Sequence, residues 1–275
     1  MNKILFYIAI FSIIFCVDAN SYQKASKQID IEPLNITAKQ IDKLDSIEGR
    51  VYSLNFHYPE FSGYKNINAL NKFNKLIVSI KDSVINAFIE KIKNDYNINP
   101  GNGKSELSYV YSIAYNRNAI VSIKFDTYPG YAGYSENEAV YSALNYNLKT
   151  GKEIRLKDLF RKDSDYLKIL YNYCLEDLHT QAIAHNKVPQ DKRPITFLGG
   201  IDDDWILDYS KENWIQPLEQ NYNFFVLTEK GIEFNFVPSL IQGFYPGKPD
   251  KVLVPYSNLQ NVIEPRGPIG FVSKK

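Results

Sequence analysis

The spacing of apolar positions changes along the chain, and each spacing predicts a different element. Ile67, Leu70, Phe73, Leu76, Ile77, Ile80, Val84, Phe88, Ile89 and Ile92 recur mostly at steps of three and four. That spacing puts side chains on one face of a helix, so a long amphipathic helix is predicted, ended by Asn99-Pro100-Gly101. Residues 51–58 alternate instead, with Tyr52, Leu54 and Phe56 against Val51, Ser53 and Asn55. This predicts a strand, followed by a turn over residues 59–64. Leu107, Tyr109, Tyr111, Ile113 and Tyr115 mark one face of a further strand. Asn116-Arg117-Asn118 turns the chain into another at residues 120–127, where Val121, Ile123 and Phe125 alternate. After a loop at 128–137, alternation resumes over 139–148, and Lys149-Thr150-Gly151-Lys152 reads as a hairpin turn into 153–156.

A second helical stripe, Leu167, Leu170, Cys174, Leu175 and Leu178, follows Asp163 and Ser164, either of which can cap it, and runs toward Pro189. Residues 194–217 are irregular and acidic. Strands are predicted again at 223–227, 232–237 and 251–254, the first two around Thr228-Glu229-Lys230-Gly231. Hairpin-linked strands favour antiparallel pairing with one packed and one wet face. The expectation is an α+β fold: antiparallel sheets built from hairpins, packed against two long amphipathic helices.

The N-terminus has the anatomy of a secretory signal peptide. Lys3 precedes an apolar run over residues 4–17, broken only by Ser12, and Val17-Asp18-Ala19 offers a cleavage site. A run of about 14 residues is short for a bilayer span. The mature chain is expected to begin at Asn20, to be extracytoplasmic and to carry no transmembrane span. An uncleaved anchor and a lipid on Cys16 are the alternatives, the second disfavoured by the bulky Phe15 before it. Cleavage leaves Cys174 as the one cysteine, so no intramolecular disulfide can form. Its place on the leucine stripe predicts a buried thiol.

Charge narrows the partners. With 32 Lys+Arg against 31 Asp+Glu the net charge is +1, which removes the electrostatic case for nucleic acid. A hydrophobic content of 44% with 23% charged residues excludes wholesale disorder.

Candidate chemistry is thin. His179 and His185 are six apart and face different sides of a helix, and His57 lies in a predicted strand without a ligand partner. Neither H-x-x-x-H nor C-x-x-C occurs, so no metal site is predicted. Asp202-Asp203-Asp204 with Asp208 could offer oxygen ligands to calcium, but lacks the glycine and closing glutamate of an EF-hand loop, and reads first as a solvated acidic loop. Trp205 and Trp214 beside it read as anchors. Gly199-Gly200 is a lone pair, and no serine sits in a G-x-S-x-G elbow. No cofactor and no catalytic residue is predicted. The segment Tyr128-Pro129-Gly130-Tyr131-Ala132-Gly133-Tyr134-Ser135 differs in kind. Gly130 and Gly133 permit tight turns, while Tyr128, Tyr131 and Tyr134 offer large amphipathic contact area at low entropy cost. These five residues are the candidate binding site. The competing reading is a packed β-connection with tyrosines covering the sheet.

Several stretches resemble one family. They are Tyr58-Pro59-Glu60-Phe61-Ser62-Gly63 before the long helix, then residues 128–133, Asn147-Leu148-Lys149-Thr150-Gly151-Lys152 and Leu156-Lys157-Asp158-Leu159-Phe160, and finally Gly231-Ile232-Glu233-Phe234 through Val254-Pro255-Tyr256-Ser257-Asn258-Leu259. Together they resemble the paired extracytoplasmic domain of RsiV-type anti-sigma factors, whose outer domain binds lysozyme, and of PdaC-type peptidoglycan deacetylases. The resemblance runs from about Val51 to Val262. It implies an N-terminal part at 51–105 and a C-terminal part at 106–263, to which the residues themselves add a signal peptide at 1–19, a linker at 20–50 holding a short helix near 37–44 and a tail at 264–275. The family's Gly-Gly-Ala-His turn is Gly130-Tyr131-Ala132-Gly133 here, so no function resting on that imidazole carries over. The chain also shows no sigma-binding segment and no deacetylase domain. The expected function is a stand-alone, non-catalytic module that binds an envelope protein, lysozyme-like, or peptidoglycan. A glycan hydrolase or deacetylase-associated enzyme is the alternative.

Overall fold

The computed structural model describes residues 32–135, 139–184, 219–236 and 250–274. It is a mixed α+β protein with two sheets. The larger has six strands in the order β1 (Asn35–Ile47), β2 (Arg50–Ser62), β3 (Lys104–Arg117), β4 (Ile120–Gly130), β5 (Val140–Asn147) and β6 (Lys152–Glu153). The smaller holds β7 (Phe225–Leu227), β8 (Gly231–Phe236) and β9 (Asp250–Pro255). Helix α1 (Ile67–Asn94) connects β2 to β3, α2 (Tyr166–Ala184) follows β6, and the short α3 (Tyr256–Leu259) follows β9.

Helix α1 forms as the periodicity predicts. Asn66 caps it, its side chain accepting from the Ala69 N–H at 3.1 Å, and Leu70, Phe73, Ile77, Phe88 and Ile92 are buried. It ends at Asn94, earlier than expected, where the Asp95 N–H closes onto the Lys91 carbonyl and Lys91 and Lys93 face the negative helix end. Helix α2 does not show the single apolar face expected of a second amphipathic helix. It buries Leu170, Cys174 and Leu178 at steps of four, and Tyr166, Leu167, Ile169, Tyr171, Tyr173 and Leu175 also pack on the core, so apolar side chains are spread over much of its surface.

Other expectations are corrected. Residues 37–44, read as helix within a linker, belong to the 13-residue strand β1, which pairs with β2 from Asn35↔Ser62 to Ile47↔Arg50. Glu48 and Gly49, with φ of 50° and 77°, form a two-residue turn whose positive φ values match the twist of a hairpin. Pro59 to Ser62 continue β2 rather than turning, and Tyr128 to Gly130 continue β4. The turn before β4 sits at Asn118-Ala119, one step later than predicted. The strand expected at 153–156 is only the two-residue Lys152–Glu153, followed by a single 3-10 turn at Leu156–Leu159. Pairing is not wholly antiparallel either: β2 and β3 run parallel from Val51↔Lys104 to Phe56↔Tyr109. A parallel pair needs a long crossover, and α1 supplies it.

The buried apolar residues fall into two cores. One joins α1 to β2–β5 through Phe56, Phe73, Ile77, Tyr109, Ile123, Phe125 and Tyr146. The other joins α2, the 156–160 turn, β7–β9 and the C-terminal segment through Leu159, Leu170, Leu178, Phe225, Phe234, Val254 and Ile263. Tyr115 and Ile120, at the β3–β4 turn, join the second core, so no single point in the sequence divides the two.

Candidate functional site

The five sequence-predicted residues do not share a surface. Tyr131 is half-buried against Phe88 of α1, ring centroids 5.3 Å apart, and Tyr134 crosses it edge-on at 6.1 Å. Lys91 Nζ sits over both rings, at 4.4 Å and 5.3 Å from their centroids. The Tyr134 hydroxyl donates to Asp95, a contact that holds the Asp95 carboxyl below its usual range and the Tyr134 hydroxyl above its own. Burial raises the Tyr131 hydroxyl. Between them Ala132 is buried, its N–H donating to Ser105 Oγ at 3.0 Å. Gly133 has φ +88°, and a Cβ there would stand 2.9 Å from Asn102 Nδ2 and 3.2 Å from the Asn97 carbonyl. Gly130 lies opposite Glu106 in the sheet with an ordinary backbone. This end of the loop is therefore tied to the C-terminus of α1, as the packing alternative has it.

Tyr128 goes the other way. It is 42% exposed at the end of β4 and meets Tyr141 of β5 edge-on at 6.4 Å. Tyr141 in turn stacks on Phe224, centroids 6.3 Å apart and planes 15° apart. Burial first and the Asp126 charge second raise the Tyr128 hydroxyl.

Sequence reasoning missed what lies along the same face of β4. Ser122, Lys124, Asp126 and Tyr128 alternate with the core-facing Val121, Ile123, Phe125 and Thr127. The small sheet covers the Ser122 end. Ser122 Oγ donates to Asn145 Oδ1 in the buried layer, Asn145 Nδ2 donates to the Phe225 carbonyl at 2.8 Å, and the Leu227 N–H donates to Ser122 Oγ at 2.9 Å. One step along, Lys124 Nζ donates to Glu233 Oε1 at 3.1 Å and Asn235 Oδ1 at 3.2 Å. Asn235 is 4% exposed, and its Nδ2 is buried without a hydrogen-bond partner. Its strand partner is Lys251, whose ammonium is held below its usual value by desolvation and by neighbouring Lys124, against the pull of Glu233 and Asp126. A polar seam thus runs between the sheets, from buried Ser122 out to exposed Tyr128. The signal in the sequence was the polar half of the β4 alternation, which on its own reads as a solvated face.

The remaining candidates are dispersed. His57 lies on β2 opposite Gln40, half-buried. His179 is in α2, with its side chain outside the described residues, as are His185, Gly199-Gly200, Asp202-Asp203-Asp204, Trp205, Asp208 and Trp214. Residues 1–31, including the apolar N-terminal run and Cys16, also lie outside them. Cys174 is buried, and burial raises its thiol far above the range in which it reacts at neutral pH. Among the described residues, no three His, Cys, Asp or Glu side chains gather to hold a metal ion, and no helix is long and apolar enough to cross a membrane.

Comparison with known proteins fits this geometry. Residues 157–257 match a family described as a protein of unknown function, DUF3298. That stretch runs from the turn before α2 into α3, so it supplies β7–β9 and one side of the polar seam, while β4 and β5 outside it supply the other. The peptidoglycan-N-acetylmuramic acid deacetylase PdaC of Bacillus subtilis (strain 168) is 23% identical over 217 residues, 79% of this chain. The chain spans 40% of that enzyme's length. A DUF3298 family protein from Pseudomonas aeruginosa PAO1 has the same fold, with a TM-score of 0.57 and 13% identity over 85% of this chain and 96% of its own. A DUF3298 family member from Bacteroides fragilis NCTC 9343 aligns with a TM-score of 0.54 and 13% identity, over 88% of this chain and 97% of its own. At that identity the likeness is one of fold. The PdaC side of the sequence resemblance is therefore found, and the RsiV side rests on the sequence motifs alone.

Proposed function

We propose that this chain is an exported, non-catalytic binding module that acts at the cell envelope on peptidoglycan or on a lysozyme-like protein. Support comes from the distant relationship to PdaC, whose name describes a peptidoglycan deacetylase, over 79% of the chain. The observation that carries the binding reading is the exposed aromatic end of β4, where Tyr128, Tyr141 and Phe224 gather beside charged side chains. Tyr131 and Tyr134 brace the loop from behind, and Gly133, with φ +88°, lets it turn.

Export follows from the apolar run at residues 4–17, and N-terminal sequencing of the secreted chain is expected to return Asn20 first. The test of function is sedimentation of the full chain with isolated peptidoglycan sacculi, alongside capture by immobilised lysozyme. Retention on one of them is expected. Tyr128→Ala should weaken retention by about 2 kcal/mol at unchanged melting temperature. Tyr131→Ala, which empties a half-buried site, should instead lower stability by about 2 kcal/mol. No retention on either, or release of acetate or reducing ends from sacculi by the full chain, overturns the proposal.

A further inference from the structure

We infer that the outer end of the polar seam, at Asp126, Asn235 and Lys251 beside the Tyr141–Phe224 stack, is a subsite for a neutral sugar ring. This rests on the envelope-binding reading above and names the ligand class and its place.

The argument is one of charge and hydrogen-bond balance. Two lysines and two carboxylates face one another here: Lys124 and Lys251 from β4 and β9, Asp126 and Glu233 from β4 and β8. An anionic ligand drawn to the lysines would be repelled by Asp126 and Glu233, and a cation would meet the converse. A neutral ligand suffers neither. Lys124 is already engaged by Glu233 and the Asn235 side-chain oxygen Oδ1. Donors are left over on one side, the orphaned Asn235 Nδ2 and the Lys251 ammonium, and the half-buried Asp126 carboxylate offers acceptors on the other. A buried donor without a partner costs folding free energy, so a ligand that accepts from it gains what folding forfeits. A hydroxyl is the neutral group that accepts from an ammonium while donating to a carboxylate. Several hydroxyls on a ring with an apolar C–H face describe a pyranose, and the rings at the mouth of the seam give that face a platform.

The test is calorimetric titration of the full chain with a soluble N-acetylglucosamine tetrasaccharide, a neutral probe, with thermal unfolding run on every variant. Asp126→Asn and Lys251→Gln keep size and remove charge, and each is expected to weaken binding about tenfold, one hydrogen bond to a charged group. Neither should change the melting temperature. Tyr96→Ala, 81% exposed after α1, should leave binding unchanged. Saturable binding lost in both seam variants supports the subsite. Binding that survives both variants overturns it, as does no saturation at millimolar tetrasaccharide. In that second case, retention of the chain by sacculi or lysozyme leaves the envelope reading standing, and its absence removes both.

Discussion

Strand β4 faces two layers that solve the same packing problem differently. Toward α1 it presents Val121, Ile123 and Phe125, all buried, and Phe125 stacks on Tyr109, which stacks on Phe56, at centroid distances of 5.4 and 4.9 Å. Toward the small sheet it presents Ser122, Lys124 and Asp126, the first two held by side chains and backbone groups that lie about a hundred positions further along the chain. Burial against α1 needs only apolar area and is indifferent to small shifts. Burial of Ser122 and Asn145 is tolerable only with β7 in one register, because each polar atom must find its partner. One face therefore supplies most of the stability, and the other fixes how the sheets are docked and leaves polar groups available at its open end.

Truncation on the apolar face should have the largest effect. Phe125→Ala removes a fully buried ring at one end of a three-ring stack, and a loss of about 3–5 kcal/mol in denaturant unfolding is expected. A loss below about 1 kcal/mol would mean that this layer is not the main source of stability.

On the polar face the expected loss is smaller but coupled. Asn145→Ala orphans the Phe225 carbonyl and takes a second acceptor from the Leu227 N–H, for about 1–3 kcal/mol. Ser122→Ala removes the main acceptor of that same N–H. Because the two residues share partners, the double variant should lose less than the sum of the singles. Strict additivity in denaturant unfolding would show that the network does not act as a unit.

These two faces also mark where the sequence was legible. Helix α1 could be read directly, since 28 residues with one apolar face leave little ambiguity. Strand β1 could not: as an edge strand it is mostly exposed, and Ile41, Leu44 and Ile47, three apart, imitate a helical turn. The parallel β2–β3 pair was hidden because hairpin signals speak only of sequential neighbours. Alternation in β4 was seen, but its polar half was taken as wet, whereas Ser122 is fully buried. Period-two patterning reports polarity, and whether a polar face meets water or a second sheet is decided by residues far away. The tyrosine loop was likewise visible as composition, while the divergence of Tyr128 from Tyr131 and Tyr134 depends on where β4 ends and where the C-terminus of α1 lies.

The smallest effect probes the open end of the seam. Lys251 is the described lysine whose ammonium is displaced downward from 10.5, while Lys39 and Lys43 are displaced upward by Glu60 and Asp45. Desolvation is the larger cause for Lys251, and the Lys124 charge is the next. In a carbon-detected NMR titration of the lysine side chains, Lys251 should lose its proton before Lys39 and Lys43. The unfolded chain then holds this proton more tightly than the folded one, so stability gains a small increment as pH rises through the interval below 10.5. Lys124→Gln removes the neighbouring cation, and the Lys251 midpoint should climb toward 10.5 without reaching it, because desolvation persists. A midpoint indifferent to Lys124→Gln would mean the two ammonium groups do not face each other in solution. The charge balance from which the sugar subsite is argued would then lack its second cation.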